Sequence, residues 1–138
     1  MKMKTKFNSI ALLLFLTLSF SCSETELGCY GCQDDTIGLS KGIIQFSAEN
    51  NSTTITTQGK SWWLSEITLD GKRIDISGLQ RTSHQLKIEK PEFTFERKNE
   101  NEIFIQMSKN TSKKERKLIV SLQHLNYFGN IYITQTAD

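Results

Sequence analysis

A single proline, Pro91, and three cysteines, Cys22, Cys29 and Cys32, occur in 138 residues, and each scarcity excludes something. No cysteine pair is spaced to join two sheets, so a core in this chain must be held by burial rather than by a buried crosslink. No apolar run approaches the roughly 20 residues needed to cross a bilayer. Glycine-rich phosphate loops, nucleophile elbows, zinc-protease helices and EF-hand loops are all missing. His84 and His124 stand alone in sequence, which offers no metal-ligand spacing, and no cofactor is expected. The formal charge of +2 is also misleading. Lys2, Lys4 and Lys6 lie in the first 21 residues, and without them fourteen basic residues face fifteen acidic ones. A nucleic-acid partner is therefore not expected.

Those first residues are the most informative segment. A lysine-bearing start, an apolar run from Ile10 to Leu16 and small residues before Cys22 have the layout of a signal peptide over 1–21. Ending at a cysteine, the segment resembles the lipobox of bacterial lipoproteins, in which that cysteine is acylated. Ser19 stands where leucine is usual. The alternative is an ordinary secretory peptide that leaves Cys22 a free thiol. With Cys22 lipidated, the protein is tethered to a membrane through its anchor, since each buried methylene contributes about 0.8 kcal/mol. The acidic run Ser23-Glu24-Thr25-Glu26 resembles the export signals of Bacteroidota lipoproteins. It implies an outer-membrane, cell-surface location, with a periplasm-facing anchor as the alternative.

Residues 22–41 are polar and glycine-bearing and read as a tether, about 60 Å long if fully stretched. Within it, Cys29 and Cys32 are expected either to close a small disulfide or to remain idle thiols. Redox and metal roles stay open but lack a following helix and further ligands. Asp35-Thr36-Ile37 resembles the short motif that Bacteroidota modify by O-glycosylation, which makes Thr36 a candidate acceptor.

From Gly42 onward the apolar residues alternate, so 42–138 is expected to form one domain. Ile44 and Phe46 open the pattern, followed by the β-branched run Thr53–Thr57. Trp62–Leu69 then runs into Asp70-Gly71, a strong hairpin signal, with Ile74 and Ile76 returning from it. Leu86 and Ile88, Phe93 and Phe95, Ile103 to Met107, Leu118 to Leu122, and Ile131 and Ile133 continue it. Tyr127 and Phe128 fall on an expected turn spanning Asn126–Gly129. Seven to eight short strands separated by turn signals predict an all-β, antiparallel sandwich. One of the adjacent tryptophans Trp62 and Trp63 must then face inward.

The opening Ile44-Gln45-Phe46-Ser47-Ala48, the Trp62-Trp63 strand, Phe93-Thr94-Phe95, Asn110-Thr111-Ser112 and the closing Ile131-Tyr132-Ile133-Thr134-Gln135 resemble the BACON domain. This is an immunoglobulin-like module of Bacteroidota surface proteins. The likeness runs from about Gly42 to Thr136, with a longer insertion between Trp63 and Phe93. It implies a non-enzymatic accessory role and carbohydrate as a ligand class, with no agreed ligand residues.

Sugar rings stack on flat aromatic faces, so Trp62, Trp63, Tyr127 and Phe128 are the candidate ligand contacts, for a host or dietary glycan or an envelope protein. The competing expectation is a structural spacer or assembly subunit of a cell-envelope complex. The carboxylates Glu96, Glu100 and Glu102 are interleaved with Arg97 and Lys98, which reads as a solvated turn of mixed charge. The basic run Lys109, Lys113, Lys114, Arg116 and Lys117 reads as a solvated loop.

Overall fold

The structure, a computed structural model, describes residues 34–138. The segment 1–21 expected to be a signal peptide, Cys22, Cys29 and Cys32 lie outside the described residues. Among the described residues all regular structure is β, in nine strands: β1 (Ile43–Phe46), β2 (Asn51–Thr56), β3 (Trp63–Leu69), β4 (Lys72–Arg73), β5 (Leu86–Glu89), β6 (Phe93–Arg97), β7 (Glu102–Met107), β8 (Arg116–His124) and β9 (Tyr127–Gln135). They form a five-stranded sheet in the order β1-β9-β8-β3-β4 and a four-stranded sheet in the order β2-β7-β6-β5. Every pairing is antiparallel except β1 on β9, which is parallel. This is an immunoglobulin-like sandwich.

Alternation explains the packing. Ile103, Ile105 and Met107 of β7 and Leu118, Val120 and Leu122 of β8 are fully buried, as are Ile55, Leu64, Ile67 and Phe95. Each sheet thus turns one row of side chains inward and leaves the intervening row outside. The Asp70-Gly71 hairpin forms as the sequence predicts, with both residues at positive φ, 50° and 77°. That geometry suits the right-handed strand twist. Its return strand is shorter than expected, because only Lys72 and Arg73 pair with β3. Ile76 instead packs into the core from the crossing segment that leads to β5.

Two boundaries move. Tyr127 and Phe128 belong to β9, paired with His124 and Gln123, and the turn is the two-residue Leu125-Asn126. Leu125 takes φ 53°, a conformation usually left to glycine, and the long flanking ladder of nine residue pairs holds it there. The second correction is at the start of the domain. The packed body does not begin at Gly42, because Ile37 is fully buried in the core and Leu39 bridges to Thr57.

The strap Asp35–Leu39 is tied down at several points. Asp35 Oδ1 accepts hydrogen bonds from the backbone N–H groups of Ile37 and Gly38 at 3.0 and 2.7 Å. Gln58 N and Gly59 N both donate to Ile37 O at 3.0 Å. Any Cβ at Gly59 would lie 2.1 Å from Thr36 O, so glycine is required there. On the other side, the Ile37 side chain sits over Gly129 of β9. The strap therefore joins the two sheets. Thr36, the candidate acceptor, is half-buried in the strap, with its Oγ1 shielded from solvent and without a hydrogen-bond partner.

Ile37→Ala is expected to lower the unfolding free energy by roughly 2–5 kcal/mol, the usual penalty for emptying a buried isoleucine site. It should appear as a lower urea midpoint at an unchanged slope. A midpoint equal to that of the parent would show that the strap does not belong to the core.

Candidate functional site

The four aromatics singled out from the sequence are separated by the fold. Trp62 lies just before β3, points inward and is 2% exposed, so it is unavailable to any ligand. Tyr127 is half-buried on the inner side of β9, packed against the core. Burial, followed by the nearby charge of Asp35, pushes its phenol pKa up. Trp63 and Phe128 point the other way, onto the outer face of the five-stranded sheet. Trp63 pairs with Gln123 of β8, which in turn pairs with Phe128 of β9. The three residues form one row across three strands, with the outer rings two ladder steps apart, about 10 Å.

A second row on this face was not singled out from the sequence. Thr68, Ile119, Tyr132 and Ile43 are register partners across β3, β8, β9 and β1. Tyr132 is 45% exposed and Ile43 76%. Period-two alternation marked Ile131 and Ile133 as inward, and the same alternation places Tyr132 outward. The missing signal was the β1–β9 pairing, which a local pattern cannot reveal. Between the two rows lie Glu66, Ser121 and Asn130, again partners in register. Two partly apolar rails thus flank a polar strip.

The opposite face of the sandwich is different in kind. Lys87 and Glu89 pair with each other there at 2.6 Å, and Lys98 sits 4.8 Å from the Phe104 ring, covering it. The mixed-charge turn resolves into ion pairs. Glu100 meets Lys60 at 3.0 Å and His84 at 3.8 Å, and the hydrogen bond from Lys60 holds its carboxyl pKa down. The basic loop is similarly engaged: Lys109 pairs with Glu49, and Lys117 with Glu115. Arg116 donates to Ser108 and Lys109 carbonyls. A recess of about 690 Å³ beside it mixes Lys72, Lys114 and Arg116 with Asp70, Glu92 and Glu115. Among the described residues, no three His, Cys, Asp or Glu side chains gather to hold a metal ion.

Arg97 departs most from its sequence-based expectation. It is not solvated but 1% exposed, with its guanidinium carbon 3.5 Å above the Trp62 ring. Its fork donates to the carbonyls of Trp62 and Lys60 at 2.8 Å, Glu100 at 2.9 Å and Asn99 at 3.2 Å. Burial pulls its pKa down to about 10, opposed by the charge of Glu100, so it remains cationic at neutral pH. Trp62 Nε1 donates to Thr57 Oγ1 at 3.0 Å, which completes the cluster. At the far end of the sandwich, Asn110 and Gln135 are both fully buried. Gln135 Nε2 reaches the Glu49 and Ser108 carbonyls at 2.9 and 3.0 Å, and Asn110 Nδ2 those of Lys114 and Thr136 at 2.8 and 2.9 Å. Both residues belong to the motifs quoted for the BACON resemblance, and here they fasten loops.

The fold is an immunoglobulin-like sandwich with one aromatic outer face. No protein-family model and no curated protein matches the chain. Among solved structures, the NMR structure of a protein from Bacteroides thetaiotaomicron is similar, with a TM-score of 0.63 and 20% sequence identity. The match covers 78% of this chain and 92% of that one. At this identity the likeness carries the fold alone.

Arg97→Met keeps an apolar stem but leaves several buried carbonyls without donors. Each such acceptor costs about 1–3 kcal/mol, so a total loss of roughly 3 kcal/mol or more is expected. Urea denaturation followed by tryptophan fluorescence measures it, and a variant as stable as the parent would refute the role given to the guanidinium.

Proposed function

We propose that this protein is a non-catalytic lipoprotein of the bacterial cell surface, anchored through Cys22, whose BACON-like domain binds glycan on the outer face of the five-stranded sheet. The observation that carries this reading is the sharing of one face by Trp63, Phe128 and Tyr132 with hydroxyl and amide side chains between them. A pyranose has an apolar face and an equatorial rim of hydroxyls. Flat rings flanked by Ser121, Gln123 and Asn130 supply partners for both. Exposed aromatics gathered on one side of a domain mark an interaction site. An open sheet face fits a polymer lying across it better than a small molecule enclosed in a pocket.

A second reading, that of a spacer or assembly subunit, is favoured by β1. It is an edge strand, and Ile43 on it is 76% exposed. An edge strand with no further strand beside it among the described residues is suited to strand addition by another chain.

A glycan array probed with the full chain tests the first reading. Phe128→Ala and Tyr132→Ala should each weaken binding by roughly tenfold while leaving the unfolding midpoint nearly unchanged. Trp62→Ala should instead unfold the domain. Silence across the array, together with concentration-dependent self-association, would transfer the assignment to the second reading. Incorporation of a labelled fatty acid, lost in Cys22→Ala, tests the anchor.

A further inference from the structure

The sequence of polar and apolar side chains along the outer face constrains the ligand class beyond glycan in general, and this step rests on the glycan-binding reading. Along β9 the outward residues are Phe128, Asn130, Tyr132 and Thr134. Phe128 and Tyr132 are four residues apart, about 14 Å along the strand, with Asn130 midway. Ser121 of β8 stands beside Asn130 in register. The order is ring, amide with hydroxyl, ring. One sugar unit cannot touch both rings over that distance.

Charge on this face is sparse and already compensated. Glu66, in the polar strip, accepts from Arg73 Nε at 2.8 Å; Arg73 is the register partner of Thr68 and so ends the Tyr132 row at β4, and Lys117 Nζ lies 3.4 Å from Glu115. The remaining outward positions of β8 and β9 (Ile119, Ser121, Gln123, Phe128, Asn130, Tyr132 and Thr134) carry no charge. A sulfate or carboxylate on a ligand needs a cation or a set of aligned N–H donors to replace its hydration. Lys109, Lys113 and Lys114 precede β8, away from the Trp63–Phe128 row, whereas Lys117 is the register partner of Thr134, the outward position next after Tyr132, and is held by Glu115.

We infer that the face takes an uncharged glycan of several units, laid along β9 with one unit stacked on Phe128, a later one on Tyr132 and the intervening hydroxyls facing Asn130 and Ser121. Two consequences separate this from binding of a sulfated polymer or of a single terminal sugar. Affinity is insensitive to salt, because no counterion is released. Affinity also rises with chain length until both rings are covered.

The test uses the full chain in affinity electrophoresis through gels holding one polymer each: mixed-linkage β-glucan, xylan, galactomannan, dextran, dextran sulfate or heparin. Calorimetry then follows with the oligosaccharide series of whichever neutral polymer retards it. The expected result is retardation by a neutral polymer at low and high salt alike, with no measurable binding of the monosaccharide. Tyr132→Ala should lower affinity for the long oligomer roughly tenfold, yet leave the shortest binding oligomer little affected. Asn130→Asp, which adds charge without removing volume, guards against a folding artefact and should weaken binding at an unchanged unfolding midpoint. Retardation only by dextran sulfate or heparin, abolished by salt, would overturn the inference and leave glycan binding standing. A monosaccharide binding as tightly as the polymer would do the same. No retardation by any polymer would remove both the inference and the reading beneath it.

Discussion

A guanidinium lying on an indole holds one end of this sandwich together. Arg97 ends β6 in the four-stranded sheet, while Trp62 introduces β3 in the five-stranded one, so their stacking joins the two layers. Burying a cation is expensive unless its donors are satisfied. Here the compensation comes from carbonyls at residues 60, 62, 99 and 100. The consequence is conformational. The loop entering β3 and the turn after β6 must both present their carbonyls to one planar fork, which only a narrow range of backbone paths permits. Desolvated cation–π stacking contributes on the order of 2 kcal/mol, and the hydrogen bonds fix the geometry.

With that end pinned, the outer face of the five-stranded sheet inherits its arrangement. Trp62 faces in, so Trp63 faces out, and the pairing of β3 with β8 and β9 then sets Trp63 in line with Phe128. The strap acts on the same neighbourhood from below. Ile37 fills the space left by Gly129, the residue after Phe128, and any larger residue at 129 would meet the Ile37 side chain at 3.2 Å. A candidate ligand face is thus supported by core residues directly beneath it. Structure on rigid strands positions side chains more reproducibly than loops do.

The sandwich was legible from the sequence because its strands have the simplest signal, alternation between a dry side and a wet side. Ile103, Ile105 and Met107, or Leu118, Val120 and Leu122, leave no other interpretation. The Asp70-Gly71 turn was equally clear, since its φ values demand such residues. Four features were not legible, each for a non-local reason. Arg97 looked solvated because it is flanked by glutamates and lysines, and only the arrival of Trp62 from 35 positions away buries it. Ile37 sat in a polar stretch where a lone isoleucine carries no periodicity, so the tether seemed to extend past it. The row of Thr68, Ile119 and Tyr132 gains Ile43 only through the parallel pairing of β1 with β9, which has no turn to announce it. The turn at Leu125-Asn126 was displaced because Gly129, expected to lie in a turn, instead leaves room inside the sheet for the strap.

The parallel union of β1 and β9 has a mechanical meaning. Where two neighbouring strands run the same way, a pull applied ahead of the first and behind the second drags them past each other lengthwise. All the rungs between Ile43–Tyr132 and Phe46–Gln135 then share the load at once, instead of parting singly as in a peeled hairpin. Under a stretching force, that is the stiffer of the two ways to be loaded.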